Sequence, residues 1–428
     1  MNYNKSLSLC YFLILLFPLS LIFSDFLSEL IIFVLIFFFI KYNFSTYKLN
    51  FFLDFFSILF LIFFAIMITS SLLSDYQWFS LKKSLSLIRF ILFSFALCWI
   101  LNLKKKLIFD LYKVLIFIQL LLLLGGIIEI MFDYNVIYGN KDNTNYTNLE
   151  HEKISSFFGN ESILGSYISR LFPLFIIFFL INFPKLDRGF KFLSYVVFIF
   201  SVFLIFFSGE RLAIFLLISF FSALILIVKL NYKNILLISI SLLSVVLFFA
   251  SFESQRQRVF EYTFKQIKVD DNIIFYSQAH HSHFITAYKI FLDNKIIGTG
   301  PNTFRKVCKL EKYQSTHYSN FLKVDPCTTH PHNFLIQLLS ETGILGSIIP
   351  ISLFFFLMYK FLYRNIFSKN LKEHDIKKKI IDLFLIFFIF CLMLFTPNGN
   401  FFNNWLNMIT FFGFGIYLHF VKNLNYLR

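Results

Sequence analysis

Long apolar runs constrain this chain more than any other feature of its sequence. About twelve runs, each roughly 17–25 residues long, alternate with polar segments. A helix crosses the hydrocarbon core of a bilayer with about 20 apolar residues, whereas an outer-membrane strand needs about 10. The 428 residues are 58% hydrophobic and 15% charged, so a water-soluble fold could not keep this apolar surface from water. The sequence therefore predicts an all-α polytopic membrane protein and excludes a cytosolic enzyme or a disordered chain.

A sliding apolar window places about twelve predicted membrane spans. They lie at 6–23, 26–41, 51–73, 84–102, 107–131, 162–182, 190–208, 211–229, 233–251, 333–361, 379–396 and 400–421. The tenth is longer than a straight crossing requires, so we expect a kink at Pro350, with Gly343 allowing close helix packing. The chain then divides into helices one to nine at 1–251, a loop with short helices at 252–332, and helices ten to twelve at 333–428. Within the loop, apolar residues at helix spacing predict a short helix over 279–292.

Basic residues indicate how these spans are oriented. The net charge is +15, and the basic residues concentrate in alternate short loops, which is typical of cytoplasmic loops. This pattern favours membrane orientation over a nucleic-acid partner. We therefore expect a multi-pass protein of the bacterial inner (cytoplasmic) membrane, with both termini in the cytoplasm and the loop at 252–332 in the periplasm. Loops of this length commonly carry function, so the search for chemistry begins there.

Histidines concentrate in this outer loop. Six of the nine histidines lie in it, namely His280, His281, His283, His317, His330 and His332. His332 is the candidate general base, because it directly precedes span ten in the segment Thr329-His-Pro-His-Asn333, where Asn333 can cap the helix. A solvated loop histidine is the alternative, and for His330 the two interpretations weigh equally. The spacing matches no known zinc ligand pattern, so no metal is expected.

Arginines at the outer surface are candidate ligands for an anion. Arg211 follows Gly209 in a tight turn and opens span eight, where the helix dipole favours negative charge. Arg256 and Arg258 follow span nine and, being two residues apart, point to different sides, so we expect only one to reach a site. For Arg211 the alternative is that its side chain snorkels towards lipid phosphates. Arg170 lies inside span six, where a site residue and a helix-packing pair both remain open.

Two cysteines also lie in the outer loop. Cys308 and Cys327 could form a disulfide if the loop faces an oxidising compartment, and two unpaired thiols are the alternative. Gly298-Thr-Gly300 precedes them and is typical of a tight turn, since it lacks the third glycine and the strand of a dinucleotide site.

Three motifs in combination resemble the O-antigen ligase and O-antigen polymerase superfamily of bacterial surface-polysaccharide enzymes. The first runs from Tyr288 to Arg305 and contains the Gly-Thr-Gly-Pro turn. The second is Thr329-His-Pro-His-Asn333, and the third is Glu341-Thr-Gly-Ile-Leu-Gly346. The turn Ser208-Gly-Glu-Arg211 matches the family's S-G-x-R-type turn, and the motifs cover roughly 205–350. Lys295-Ile-Ile departs from the pattern, because the family more often has a proline there.

The resemblance implies a GT-C-like fold of about twelve helices and metal-independent, cofactor-free transfer of a glycan from undecaprenyl pyrophosphate. It implies that His332 acts as the base and that Arg211, with Arg256 or Arg258, holds the pyrophosphate. Supporting roles fall to His330, Asn333, Gly298, Gly300, Arg305 and Glu341.

The acceptor stays open at this point. A ligase would use a sugar of lipid A-core, and a polymerase would use a second lipid-linked glycan. A lipid-linked oligosaccharide flippase is an alternative from another class, but it predicts internal repeats and charges deep inside several spans. A non-catalytic membrane scaffold is the third hypothesis, and it predicts no dependence of surface polysaccharide on His332.

Overall fold

The computed structural model describes residues 3–43, 55–140, 153–159, 161–229, 233, 251–269, 272–273, 276–314, 325–367 and 376–422. Within these ranges the protein is almost entirely helical. The strands described are two antiparallel pairs of two residues each, Tyr134–Asn135 with Gly139–Asn140 and Lys268–Val269 with Asn272–Ile273. The all-α class predicted from the sequence is confirmed.

Eleven long helices occupy predicted spans in the described part of the chain. The first eight are α1 Tyr3–Phe23, α2 Asp25–Asn43, α3 Phe55–Leu72, α4 Gln77–Leu103, α5 Leu107–Phe132, α6 Leu164–Asn182, α7 Arg188–Phe207 and α8 Arg211–Val228. The last three follow the segment 252–332, which we call the outer segment, and are Phe334–Leu362, Ile376–Cys391 and Asn404–Lys422. Eight helices among the described residues are long and apolar enough to cross a membrane. The predicted ninth span at 233–251 lies largely outside the described residues, so the count of twelve stays a prediction.

Short helices fill the segment between these two groups. They are α9 Glu253–Arg256, which continues into a π-helical turn at Gln257–Glu261, α10 Tyr262–Ile267, α11 Gln278–Asp293 and α12 Phe304–Val307. The α11 helix confirms the helix predicted over 279–292. After it, the long helices become α13 Phe334–Leu362, α14 Ile376–Cys391 and α15 Asn404–Lys422.

Helix α4 lies at the centre of the bundle and packs against α2, α3 and α15. Helices gain little from the hydrophobic effect inside a bilayer, so close contacts and hydrogen bonds between them decide the packing. Gly415 permits such a contact, because a side chain there would meet the Ser94 carbonyl at 2.8 Å. The Ser94 hydroxyl also donates to the carbonyl of Phe411 at 2.6 Å.

The break in α13 lies at Gly343, not at Pro350 as expected. Gly343 has φ 62° and ψ −167°, which interrupts the helical ladder, whereas Pro350 stays within helical backbone. The amides of Ile344 and Leu345 donate instead to carbonyls of the segment 295–296, at 2.8 and 3.1 Å. A Cβ on Gly343 would overlap the carbonyl of Ile296. Gly343 therefore serves the approach of a loop and not helix packing, because only glycine tolerates both the positive φ and the contact.

The same loop pairs with the other side of the break. The amides of Thr299 and Gly300 donate to the carbonyls of Ser340 and Glu341, at 3.1 and 2.8 Å. Four backbone groups that a continuous helix would satisfy internally are thus satisfied by the segment 295–300. This pairing fixes the outer segment on the first turns of α13.

Candidate active site

Four histidine rings meet above the start of α13 and form what we call the histidine cluster: His280, His283, His330 and His332. The ring centre of His332 lies 4.1 Å from that of His330, 5.3 Å from that of His280 and 5.6 Å from that of His283. His280 and His283 share one face of α11, because residues three apart are neighbours on a helix. The cluster therefore joins α11 to the loop before α13.

The cluster is electrically neutral at neutral pH. Burial, and then the neighbouring imidazoles, lower the pKa of His332 to about 3. Burial likewise lowers the pKa of His280 and of His330 to about 4, and it lowers the pKa of His283 below its ordinary value. A neutral imidazole has a nitrogen lone pair that can take a proton, so His332 is in the state that a general base requires.

Two arginines flank the cluster. The positive charge of Arg211 contributes to the lowered pKa of His280, and that of Arg305 contributes to the lowered pKa of His330. Arg211 Nη1 donates to Gln266 Oε1 at 2.7 Å, and Arg305 Nη2 donates to Asn302 Oδ1 at 3.1 Å. Each arginine thus places positive charge near neutral imidazoles, an arrangement that suits an anionic ligand.

Arg256, which follows the predicted span nine, differs from this arrangement. Arg256 forms an ion pair with Glu261 at 3.3 Å, and 51% of its side chain is exposed. The side chain of Arg258 lies outside the described part of the chain, as does His317. Of the two alternatives, Arg256 is accordingly the weaker candidate for a site residue.

His332 occupies a backbone conformation that is rare for its residue type. Its φ is 56°, in the left-handed region. The carbonyl of His332 accepts from the Asn398 amide at 2.7 Å, and the Asn333 side chain caps the amide of Ile336 at 3.1 Å. Asn333 Nδ2 also donates to the carbonyl of Thr396 at 3.3 Å. The cap was predicted from the sequence, whereas the part played by the segment 396–400 was not; its Pro-Asn-Gly-Asn sequence at 397–400, between two apolar spans, was the available signal.

Glu341, Gly298 and Gly300 give the site its structural support. The Glu341 carboxylate is fully buried and accepts from the amides of Asn302 and Phe304 at 2.9 and 2.8 Å. Gly298 and Gly300 have φ of 76° and 105°, and a side chain on Gly298 would overlap the backbone of Glu341. These residues hold the turn that carries Arg305, so their contacts are structural.

A disulfide joins the two loop cysteines. Cys308 and Cys327 are bonded, with their Cα atoms 5.3 Å apart. Cys308 lies in a small buried core that also contains Ala287, Ile290 and Phe304. The bond therefore ties the segment leading to His330 and His332 onto α11 and α12.

Among the described residues, no group of three or more histidines, cysteines or acidic residues is arranged to hold a metal ion. Metal-independent chemistry remains an expectation of the sequence analysis.

Comparison with known protein families supports the reading of these motifs. Residues 196–351 match the family model described as O-antigen ligase. This segment contains Arg211, the histidine cluster and the break at Gly343. A search of curated proteins gave no match. The family match confirms, over residues 196–351, the resemblance to the O-antigen ligase and polymerase superfamily that the sequence motifs indicate.

Proposed function

We propose that the protein transfers a glycan from an undecaprenyl-pyrophosphate donor to a sugar hydroxyl at the periplasmic face of the inner membrane, as an O-antigen ligase does. The single observation that carries the proposal is the neutral histidine cluster flanked by Arg211 and Arg305 at the head of α13. A base that is neutral beside fixed cations suits a reaction whose leaving group is an anion.

In the proposed reaction His332 takes the proton of the acceptor hydroxyl. The hydroxyl oxygen bonds to the anomeric carbon of the donor, the bond from that carbon to the pyrophosphate oxygen breaks, and its electron pair leaves with the pyrophosphate. Arg211 and Arg258 bind the pyrophosphate, and Arg305 adds positive charge near His330. General base catalysis contributes about 10²–10⁴-fold in such steps, and a fixed donor to a developing anion contributes about 3–4 kcal/mol.

Donor binding would also strengthen the base. With a pKa of about 3, His332 holds a proton poorly before the donor arrives. The negative charges of a pyrophosphate favour the protonated imidazole, so they raise the pKa of His332 towards neutrality. The base therefore becomes effective when the leaving group is in place.

Transfer by purified protein in lipid nanodiscs tests the proposal. We expect His332→Ala to reduce the rate of transfer from lipid-linked glycan about 10²–10⁴-fold. Arg211→Gln should weaken donor binding about 10–100-fold through the loss of charged hydrogen bonds. The matched control is His281→Ala, a neighbour on α11 outside the cluster. Wild-type transfer by His332→Ala at normal protein levels would contradict the proposed role.

Surface polysaccharide from a deletion strain separates the two acceptors. Full-length chains that stay on the lipid carrier indicate a missing ligase. A single repeat unit on lipid A-core indicates a missing polymerase, the alternative within the superfamily, and would replace the acceptor proposed here.

A further inference from the structure

The backbone of His332 depends on contacts from a segment far away in the chain. A non-glycine residue in the left-handed region costs about 1–3 kcal/mol unless surrounding contacts impose it. Here the Asn398 amide donates to the His332 carbonyl at 2.7 Å. Asn333, the next residue, donates to the carbonyl of Thr396 at 3.3 Å. The link between α14 and α15 thus holds both residues of the motif.

The side chain of Asn398 is itself held in place. It is 7% exposed, and its Oδ1 accepts from the Gly399 amide and from Arg170 Nη2, both at 2.9 Å. Arg170 lies in α6, is 2% exposed, and its Nη1 donates to the carbonyl of Ser166 at 3.4 Å. A chain of hydrogen bonds therefore runs from α6 through Asn398 to the backbone of His332.

An acidic residue in the turn that carries Arg211 acts on Arg170. The Glu210 carboxylate attracts Arg170 and accepts from the amides of Gly165 and Ser166, at 2.6 and 3.1 Å. Glu210 caps the first turn of α6 in this way and directly precedes Arg211 in the chain. Helix α6 is consequently the common support of the turn that carries Arg211 and of the loop that carries His332.

A packing role alone does not account for Arg170. Burial of a cation costs several kcal/mol, and an apolar side chain of similar volume would fill the same space without that cost. The Nε of Arg170 and the Nδ2 of Asn398 have no hydrogen-bond partner among the described residues. The contact to Asn398 is what an apolar side chain could not supply.

We propose that Arg170 and Asn398 are positioning residues that fix the backbone of His332, so that its ring stays within the histidine cluster and faces the donor. The catalytic consequence of this positioning rests on the function proposed above. Neither residue needs to touch a substrate. A displacement of about 1 Å at a reacting group can cost about 10²-fold in rate, so a distant contact is sufficient to matter.

Two paired substitutions test the inference. We expect Asn398→Ala and Arg170→Met to lower kcat about 10–100-fold while KM for the lipid-linked donor stays within about 2-fold. Asn398→Asp keeps the oxygen that accepts from Arg170, so it should retain most of the wild-type rate. The control is Asn404→Ala, because Asn404 accepts from Lys83 at 2.9 Å instead of contacting the loop of His332.

Hydrogen–deuterium exchange gives a readout that is independent of activity. Asn398→Ala and Arg170→Met should accelerate exchange in a peptide covering 328–336, and Asn404→Ala should not. Unchanged exchange in Asn398→Ala would overturn the positioning role, whatever the activity. Accelerated exchange together with wild-type transfer by both Asn398→Ala and His332→Ala would support positioning and reject the proposed function. If Arg170→Met does not fold, Asn398→Ala and Asn398→Asp decide the question without it, because both of these variants keep the buried Arg170.

Discussion

Buried groups that can ionise lie near both ends of α13, and the two sets differ in their charge state. At the far end, the fully buried Asp382 carboxylate accepts from Arg364 Nε at 2.6 Å and lies 3.2 Å from Lys378 Nζ. Lys378 also donates to Asn365 Oδ1 at 2.8 Å. We call this set the inner ion cluster. Its single carboxylate is paired with two cations of the protein itself.

The histidines of the cluster at the near end are neutral and are not ion-paired. Burial and mutual proximity keep its four imidazoles neutral, while Arg211 and Arg305 remain beside them. Loss of one partner from a buried ion pair is strongly destabilising, whereas clustered groups with perturbed pKa values are candidates for a functional site. The two ends of α13 therefore lead to different expectations: substitutions at the inner ion cluster should affect stability, and substitutions at the histidine cluster should affect the proposed activity.

The inner ion cluster should give the largest effect on stability. Asp382→Asn keeps the shape of the side chain but leaves Arg364 and Lys378 without their carboxylate. Breaking a buried pair costs about 3–5 kcal/mol, so we expect low yield and a strongly reduced thermal midpoint in detergent. His332→Ala, measured in parallel, should stay within about 1 kcal/mol of wild type. Equal losses in both variants would remove the distinction between the two ends.

The disulfide should give the next effect, confined to the outer segment. Replacement of Cys308 and Cys327 by serine should cost about 2–4 kcal/mol of local stability, because the bond restricts the unfolded chain. Limited proteolysis should then cleave the loop before His330 sooner, with cleavage near Asp382 unchanged. Protection of the loop equal to wild type would show that α11 and α12 hold it without the bond.

The pH dependence of stability should carry a smaller signature of the neutral histidines. Folding lowers the pKa of His332 from 6.5 to about 3, so below pH 6.5 the unfolded chain binds a proton that the folded protein does not. Stability from this group is therefore complete above pH 6.5 and is lost as pH falls towards 3. His280, His283 and His330 all help to lower the pKa of His332, so replacement of any one of these histidines reports on the titration of the whole histidine cluster.

The measurement compares thermal midpoints of wild type and His332→Ala at pH 7 and pH 5.5. Between the two pH values, the free energy of unfolding derived from these midpoints should fall by about 1 kcal/mol less in the variant than in wild type. Gln278→Ala on α11 is the control without a titrating group. An identical fall in wild type and His332→Ala would mean that His332 is not kept neutral by burial.

The exposed ion pair should give the smallest effect. Arg256 and Glu261 are about half exposed, with side-chain exposures of 51% and 46%, and such pairs contribute about 0–1 kcal/mol. Arg256→Gln should change the free energy of unfolding by no more than about 1 kcal/mol. It should change donor affinity by no more than about 2-fold, in contrast to Arg211→Gln. A loss of donor binding as large as that of Arg211→Gln would return Arg256 to the site.

Local features of the sequence predicted much of the fold. Apolar runs of membrane-spanning length identified the long helices, and helix spacing over 279–292 identified α11, because both signals come from neighbouring residues. The break at Gly343 was missed, since it depends on the approach of the segment 295–300, and a proline was the more obvious local cause. The ninth span remains a prediction.

The site was predictable only in its parts. His332 and Asn333 were identified from one short motif, and Arg211 from a turn. The approach of His280 and His283 to His332 is a tertiary contact that no local spacing encodes. Asn398 lies about sixty residues further along the chain, where its amide group alone gave no indication of a partner in α6.

The exchange of backbone partners at Gly343 also bears on how the chain is assembled during synthesis. The segment 295–300 leaves the ribosome before α13, yet the carbonyls and amides with which it pairs flank Gly343. Until the two meet, those polar groups can bond to one another in an unbroken helix or to water. We therefore expect the break at Gly343 to open only when the segment 295–300 docks, so that the final shape of α13 is set after both parts of the chain have been made.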